Sequence, residues 1–195
     1  MKPQWDKRMQ RARELAAQHP ASAEVLNFYT GILAFQKDVF DTAGRDGLRA
    51  DPVRSLPEQL AAPFVLQQFP ALLALVAKSG PSGLANAARE LQQQGPNEWH
   101  ELLASQGQRD SEPDDQTRAF FARACLQPWA EYLVSLRPTS AAQMWGTVDA
   151  QPAANNSLCP VCQSRPQLAV LRPEGEGGKR SLMCSLCLTE WDFRR

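Results

Sequence analysis

The chain has no excess charge of either sign: 21 lysines and arginines stand against 21 aspartates and glutamates. No overall field therefore draws it to nucleic acid or to an anionic membrane. Long apolar runs are also missing. The longest, near Leu72 to Ala77, is far too short to span a bilayer. No charged segment followed by an apolar run stands at the N-terminus, so nothing points to an oxidising compartment, and without a secretory signal the acceptor-like Asn155-Asn156-Ser157 carries no meaning. There is no glycine-rich phosphate loop, no G-x-S-x-G elbow and no H-E-x-x-H helix. His100, beside Trp99 and Glu101, has no second His or Cys at i+3 or i+4 and reads as a surface residue rather than a ligand. These absences leave a soluble protein of a reducing compartment, with no acid, base and nucleophile set to make it an enzyme.

What is present is concentrated at the carboxyl end. Cys159 and Cys162 form one C-x-x-C, and Cys184 and Cys187 form a second. Each such turn points two sulfurs at one centre, and the residues between the pairs can fold the turns together, which suits a four-thiolate metal site. Size argues the same way. A module of about 40 residues buries too little apolar surface to offset its ordering entropy without metal, disulfides or a partner. Two disulfides are a competing reading, disfavoured by the absent secretory signal. A thioredoxin-type redox pair needs one C-x-x-C in a βαβ setting, which is absent. Iron and zinc are not separated by four thiolates, since both accept them in tetrahedral array. The expected cofactor is one ion, iron or zinc, on Cys159, Cys162, Cys184 and Cys187. Around it, Leu168, Val170 and Leu182 alternate as interior positions of two strands flanking a loop from Arg172 to Arg180, whose Glu174 to Gly178 run is a turn. Trp191 and Phe193, spaced by two, extend one strand face.

The remainder reads as helices. Trp5 to His19 is amphipathic and ends at His19-Pro20. Ser22 is placed to cap a second helix whose stripe is Val25, Phe28, Tyr29, Ile32, Leu33, Gln36, Val39 and Phe40, stopping before Gly44. A connector from Arg45 to Ser55 follows. Pro57 to Lys78 is helical, broken or kinked at Pro63 and Pro70, and apolar on so many sides that the centre of a bundle is its expected place. Leu84 to Gln94 is a modest helix, and a short one after Asn97, whose side chain is placed to cap it, carries Trp99, Leu102 and Leu103. Asp110 to Asp115 is an acidic loop. Thr117 to Arg137 is the last long helix, with Pro128 predicting a kink or break near Cys125. Cys125, the odd cysteine, stands on the apolar face as a small core residue. Met144, Trp145 and Val148 form a last apolar cluster before a linker from Asp149 to Ser157. The fold class is therefore mainly α: an all-α helical bundle over residues 1–150, and a small rubredoxin-like or zinc-ribbon β module over 157–195.

The run Cys159-Pro160-Val161-Cys162-Gln163-Ser164-Arg165-Pro166, with Cys184-Ser185-Leu186-Cys187-Leu188-Thr189-Glu190-Trp191, resembles the formate dehydrogenase accessory proteins of FdhE type. The resemblance implies an N-terminal all-α domain followed by metal-binding C-x-x-C modules, with the four cysteines as ligands. It also implies a cytoplasmic, non-enzymatic factor required for active formate dehydrogenase, with that enzyme's catalytic subunit as partner. Family members typically continue past the position of Arg195 into a second group of C-x-x-C pairs, so the expectation is a shortened homologue or a truncated chain.

Two other classes compete. A rubredoxin-like redox protein would use the same cysteines for iron. A nucleic-acid-binding ribbon would use Arg165, Arg172, Lys179, Arg180, Arg194 and Arg195, which Glu174, Glu176, Glu190 and Asp192 oppose, leaving only a weak patch.

Overall fold

In the computed structural model, residues 4–51, 53–60, 62–105, 116–136, 157–174 and 177–192 are described. Among them the chain is mainly α, with seven helices followed by a small antiparallel sheet that carries the cysteines. The helices are α1 (Trp5–Gln18), α2 (Ala23–Arg45), α3 (Leu56–Leu60), α4 (Pro63–Ser79), α5 (Ser82–Gln94), α6 (Pro96–Ser105) and α7 (Gln116–Ser135).

α1 stops at His19-Pro20, and a single 3-10 turn over Pro20–Ser22 leads into α2. Ser22 occupies the first cap of α2 but its hydroxyl makes no capping bond, because the preceding turn sets it at φ −106°, ψ 2° rather than in the extended conformation a capping serine uses. α2 buries Phe28, Ile32, Leu33, Gln36, Val39 and Ala43 and runs on through Gly44 to Arg45. Val25 and Tyr29 were expected on this stripe, yet they stand 60% and 39% exposed. Tyr29 keeps its hydroxyl at the surface, where Arg8 Nη2 donates to it at 3.3 Å.

The third apolar region breaks at Pro63 as its sequence predicts. α3 is a five-residue helix, and Pro63 opens α4, where a missing N–H is harmless. α4 continues through Pro70 and buries Val65, Phe69, Leu72, Leu73 and Val76 on one face, so it is amphipathic rather than apolar all round. The central element is instead α7, which packs against α2, α3, α4 and α6. Small residues Ala119, Ala122, Ala124 and Ala130 along it let those neighbours approach closely. Asn97 is no cap either: α6 begins at Pro96, and Gly95 makes the turn at φ 88°. Three aromatic side chains tie segments together by donating to backbone carbonyls: Trp129 Nε1 to Gln59 O at 2.9 Å, Tyr132 Oη to Leu48 O at 2.8 Å, and Trp99 Nε1 to Leu91 O at 2.7 Å.

Pro128 does not break α7, which runs through it. Proline has no N–H for the carbonyl four residues earlier, that of Ala124. α2 supplies the missing donor: Gln36 Nε2 donates to Ala124 O at 3.0 Å and to Gln127 Oε1 at 3.3 Å. Gln36, the one polar residue of the α2 stripe, is 3% exposed, so its amide substitutes for a backbone group at a helix–helix contact. Gln127 in turn donates to Glu131 Oε1 at 3.3 Å. Burial pushes Glu131 up to about 7, although Arg8, 3.9 Å away, and Gln127 both favour its charged form.

The sheet consists of β1 (Pro166–Glu174), β2 (Gly177–Cys184) and β3 (Glu190–Trp191) in the order β1-β2-β3. The hairpin is longer than expected, since Arg172 pairs with Lys179 and Glu174 with Gly177. Leu168 is 54% exposed, and Val170 and Leu182 are only half-buried, so these three do not form the interior. The cysteine turns take that place. Trp191 pairs with Leu182 as part of β3. Phe193, the Met144, Trp145 and Val148 cluster, the acidic run Asp110 to Asp115, the hairpin tip at Gly175 and Glu176, and the linker positions before Ser157 lie outside the described residues. Among the described residues, no helix is long and apolar enough to cross a membrane.

Candidate metal centre

Both C-x-x-C segments close the same turn. In the first, the Cys159 N–H donates to Ser164 O at 2.9 Å and the Gln163 N–H donates to Cys159 O at 2.9 Å; in the second, the Cys184 N–H donates to Thr189 O at 3.0 Å. The residue after each second cysteine lies in the left-handed region, Gln163 at φ 63° and Leu188 at φ 54°. Glycine adopts that conformation freely, whereas other residues pay about 1 kcal/mol or more. Two such residues at equivalent positions need a surrounding arrangement that dictates the backbone, and a pair of sulfur-binding knuckles is one.

The turns bring the four sulfurs together. All lie within 4.8 Å of one another. Cys159 Sγ stands 3.6 Å from Cys187 Sγ, and Cys162 Sγ stands 3.3 Å from Cys184 Sγ. A disulfide requires about 2.05 Å, so all four thiols are free. Four sulfurs about 2.3 Å from one tetrahedral ion would be about 3.8 Å apart, within the observed spread. The donor set therefore fits one thiophilic ion. Backbone amides already serve the first cysteine of each pair: Val161 N–H donates to Cys159 Sγ at 3.4 Å, while Leu186 and Cys187 N–H donate to Cys184 Sγ at 3.3 and 3.4 Å.

Burial and charge agree with this fit. After residue 157, the buried residues among those described are the four cysteines, Val161, Leu186 and Ser181. The module is thus built around sulfur, and Val161 and Leu186 join the apolar cluster that continues through the helices. The thiols divide into two kinds. Cys162 and Cys184 are held below the ordinary thiol range, each chiefly by the neighbouring Cys159 thiol. Cys159 is pushed up chiefly by the neighbouring Cys162, and Cys187 chiefly by its contact with Cys159. Cys125 is separate: it is buried among the helices, its Sγ lies 3.6 Å from Val65 O, and burial raises its thiol, as suits a core residue and not a nucleophile.

A polar clamp fastens the short third strand. Arg172 Nη2 and Nε donate to the two Glu190 oxygens at 2.7 and 3.2 Å, and Ser181 Oγ also donates to Glu190. The Arg172 guanidinium and the Ser181 hydroxyl hold the Glu190 carboxyl below the usual carboxylate range. The clamp pairs Arg172 with an acid and so weakens further the basic patch a phosphate backbone would need.

The sequence spacing located all four cysteines, and the structure brings all four together. It did not locate Gln163 and Leu188, whose unusual backbone is signalled only by their place immediately after a C-x-x-C. Nor did it find the Arg172–Glu190–Ser181 clamp, which depends on strand register.

Residues 158–195 match the family model described as FdhE, central domain. Curated proteins named "Protein FdhE homolog" are similar over much more of the chain. That of Pectobacterium carotovorum subsp. carotovorum (strain PC1) is 26% identical across all of this chain and 63% of its own length. That of Aquifex aeolicus (strain VF5) is 26% identical across 93% of this chain and 64% of its own. That of Shewanella oneidensis is 33% identical across 57% of this chain and 35% of its own. No solved structure matches the chain. The chain spans about 63% of the length of the first of these relatives. The resemblance drawn from the cysteine segment therefore holds, and it extends through the helical part.

Proposed function

We propose, from the premise that this chain resembles FdhE proteins along its whole length, that it is an accessory factor required for active formate dehydrogenase. It acts on the enzyme's catalytic subunit rather than on formate, as a cytoplasmic, non-enzymatic protein. The helical unit, residues 1–150, and the cysteine unit, residues 157–195, together form the binding surface. Cys159, Cys162, Cys184 and Cys187 hold one iron or zinc ion, which gives the cysteine unit its shape. One observation carries the reading: four buried sulfurs converge within the segment that matches the FdhE central domain.

Co-purification tests it directly. The wild-type chain is expected to retain the formate dehydrogenase catalytic subunit, while Cys159→Ser and Cys184→Ser lose it together with the metal. Failure of the wild type to retain the subunit, under conditions where the enzyme's natural assembly factors bind, rejects the reading. Metal analysis of protein isolated without oxygen, with its visible spectrum, identifies the ion: an iron form is coloured and a zinc form is not.

A further inference from the structure

The two knuckles repeat more than their cysteines. Cys159, Cys162 and Ser164 stand where Cys184, Cys187 and Thr189 stand in the second turn, since the Ser164 and Thr189 carbonyls accept equivalent amide bonds from Cys159 and Cys184. Both positions carry a hydroxyl. Thr189 Oγ1 lies 3.1 Å from Cys187 Sγ, and Ser164 occupies the equivalent position of the first turn, two residues after Cys162. The sulfurs are thus served in two different ways. The first cysteine of each pair receives backbone N–H groups, and the second is followed two residues on by a hydroxyl-bearing residue, whose hydroxyl meets the sulfur at Cys187. As a thiol, Cys187 donates to Thr189. A metal-bound thiolate can only accept, so the hydroxyl must then turn and donate.

We propose that Ser164 and Thr189 are paired positioning residues of the metal centre, whose hydroxyls donate to the Cys162 and Cys187 sulfurs and draw charge from the ligand set. This rests on the reading of the four cysteines as metal ligands. Outer partners of this kind orient ligands and tune the ion they hold. A hydrogen bond to a charged sulfur favours the more negative state of the centre, so with iron bound both hydroxyls raise the reduction potential. The physical chemistry is the same for zinc, where the readout is the speed at which the ion is surrendered.

The experiment uses the full chain loaded with iron and, separately, with cobalt(II). Thr189→Val keeps the shape of the side chain and removes the hydroxyl; Ser164→Ala does the same at the other knuckle, and Thr189→Ser keeps the hydroxyl. Each deletion is expected to lower the iron potential by up to about a tenfold change in equilibrium constant, about 59 mV for one electron. It should also move the sulfur-to-cobalt charge-transfer band to lower energy. The double variant should show about the sum, and Thr189→Ser should stay near wild type. Unchanged potential and band in Thr189→Val and Ser164→Ala overturn the proposal. If Thr189→Val loses the ion, retention by Thr189→Ser supports the hydroxyl's role, and loss by Thr189→Ser as well overturns it in favour of simple packing. A wild type that takes up neither iron nor cobalt defeats instead the underlying reading of the cysteines as ligands.

Discussion

In the helical part the fully buried side chains include Phe69, Phe121, Leu33, Leu72 and Leu133, whereas beyond residue 157 the buried ones among the described residues are four cysteines with Val161, Leu186 and Ser181. The first set needs only water exclusion to stay together, because apolar area scales with the residues that carry it. The second has little apolar area, and its sulfurs approach to 3.3 and 3.6 Å without bonding. One region is organised by the amount of hydrocarbon it hides, the other by the directions in which a few polarisable atoms point. The two are therefore expected to respond to different perturbations, although one apolar cluster runs between them.

The sharpest way to separate them is a strong chelator at neutral pH. Metal binding can supply roughly 10 kcal/mol or more to a small module, so chelation is expected to abolish the sheet while most far-UV helical signal survives. Loss of that signal as well would show that the two regions are one cooperative unit. The converse substitution, Phe69→Ala, removes a fully buried ring from α4 and is expected to cost about 3–5 kcal/mol in thermal or denaturant unfolding. Its metal content should stay at the wild-type level.

Smaller effects test the polar contacts inside the bundle. Gln36→Leu leaves the Ala124 carbonyl without its donor and is expected to cost about 1–3 kcal/mol. In a Pro128→Ala background the helix regains its own N–H, so the same substitution should cost less; equal costs in both backgrounds would mean that the Gln36 bond does not compensate for the proline. Glu131 offers a pH test. Its folded pKa of about 7 lies above its ordinary value of 4.5, so the folded state binds a proton that the unfolded state releases between those two values. Stability from this group is full below about 4.5 and is lost as pH rises through 7. Glu131→Gln is expected to remove that decline, by up to about 3 kcal/mol at pH 8 relative to wild type, read from denaturation at several pH values.

Much of this division is legible in residue order. The breaks at His19-Pro20 and Pro63, the buried place of Cys125 and the sulfur set at the carboxyl end all follow from local rules: proline lacks a donor, and C-x-x-C turns aim two ligands at one point. Misreadings arose wherever a partner element decides. Pro128 looks like a break because the Gln36 amide that replaces its N–H comes from a different helix. Val25, Tyr29 and Leu168 look like core because apolar spacing marks a face without saying how much of that face is covered. The region from Pro57 to Lys78 looks central because of its composition, while α7 holds the centre through small residues that admit four neighbours.

Residue order alone therefore determined the helical character, the main chain breaks and the identity of the four clustered sulfurs, since each depends on groups a few bonds apart. Only the tertiary structure decided which helix lies at the centre, how a proline survives inside it, and which arginine and serine hold Glu190 on the third strand. Those outcomes depend on the distance between atoms far apart in the chain, and no local spacing encodes that distance.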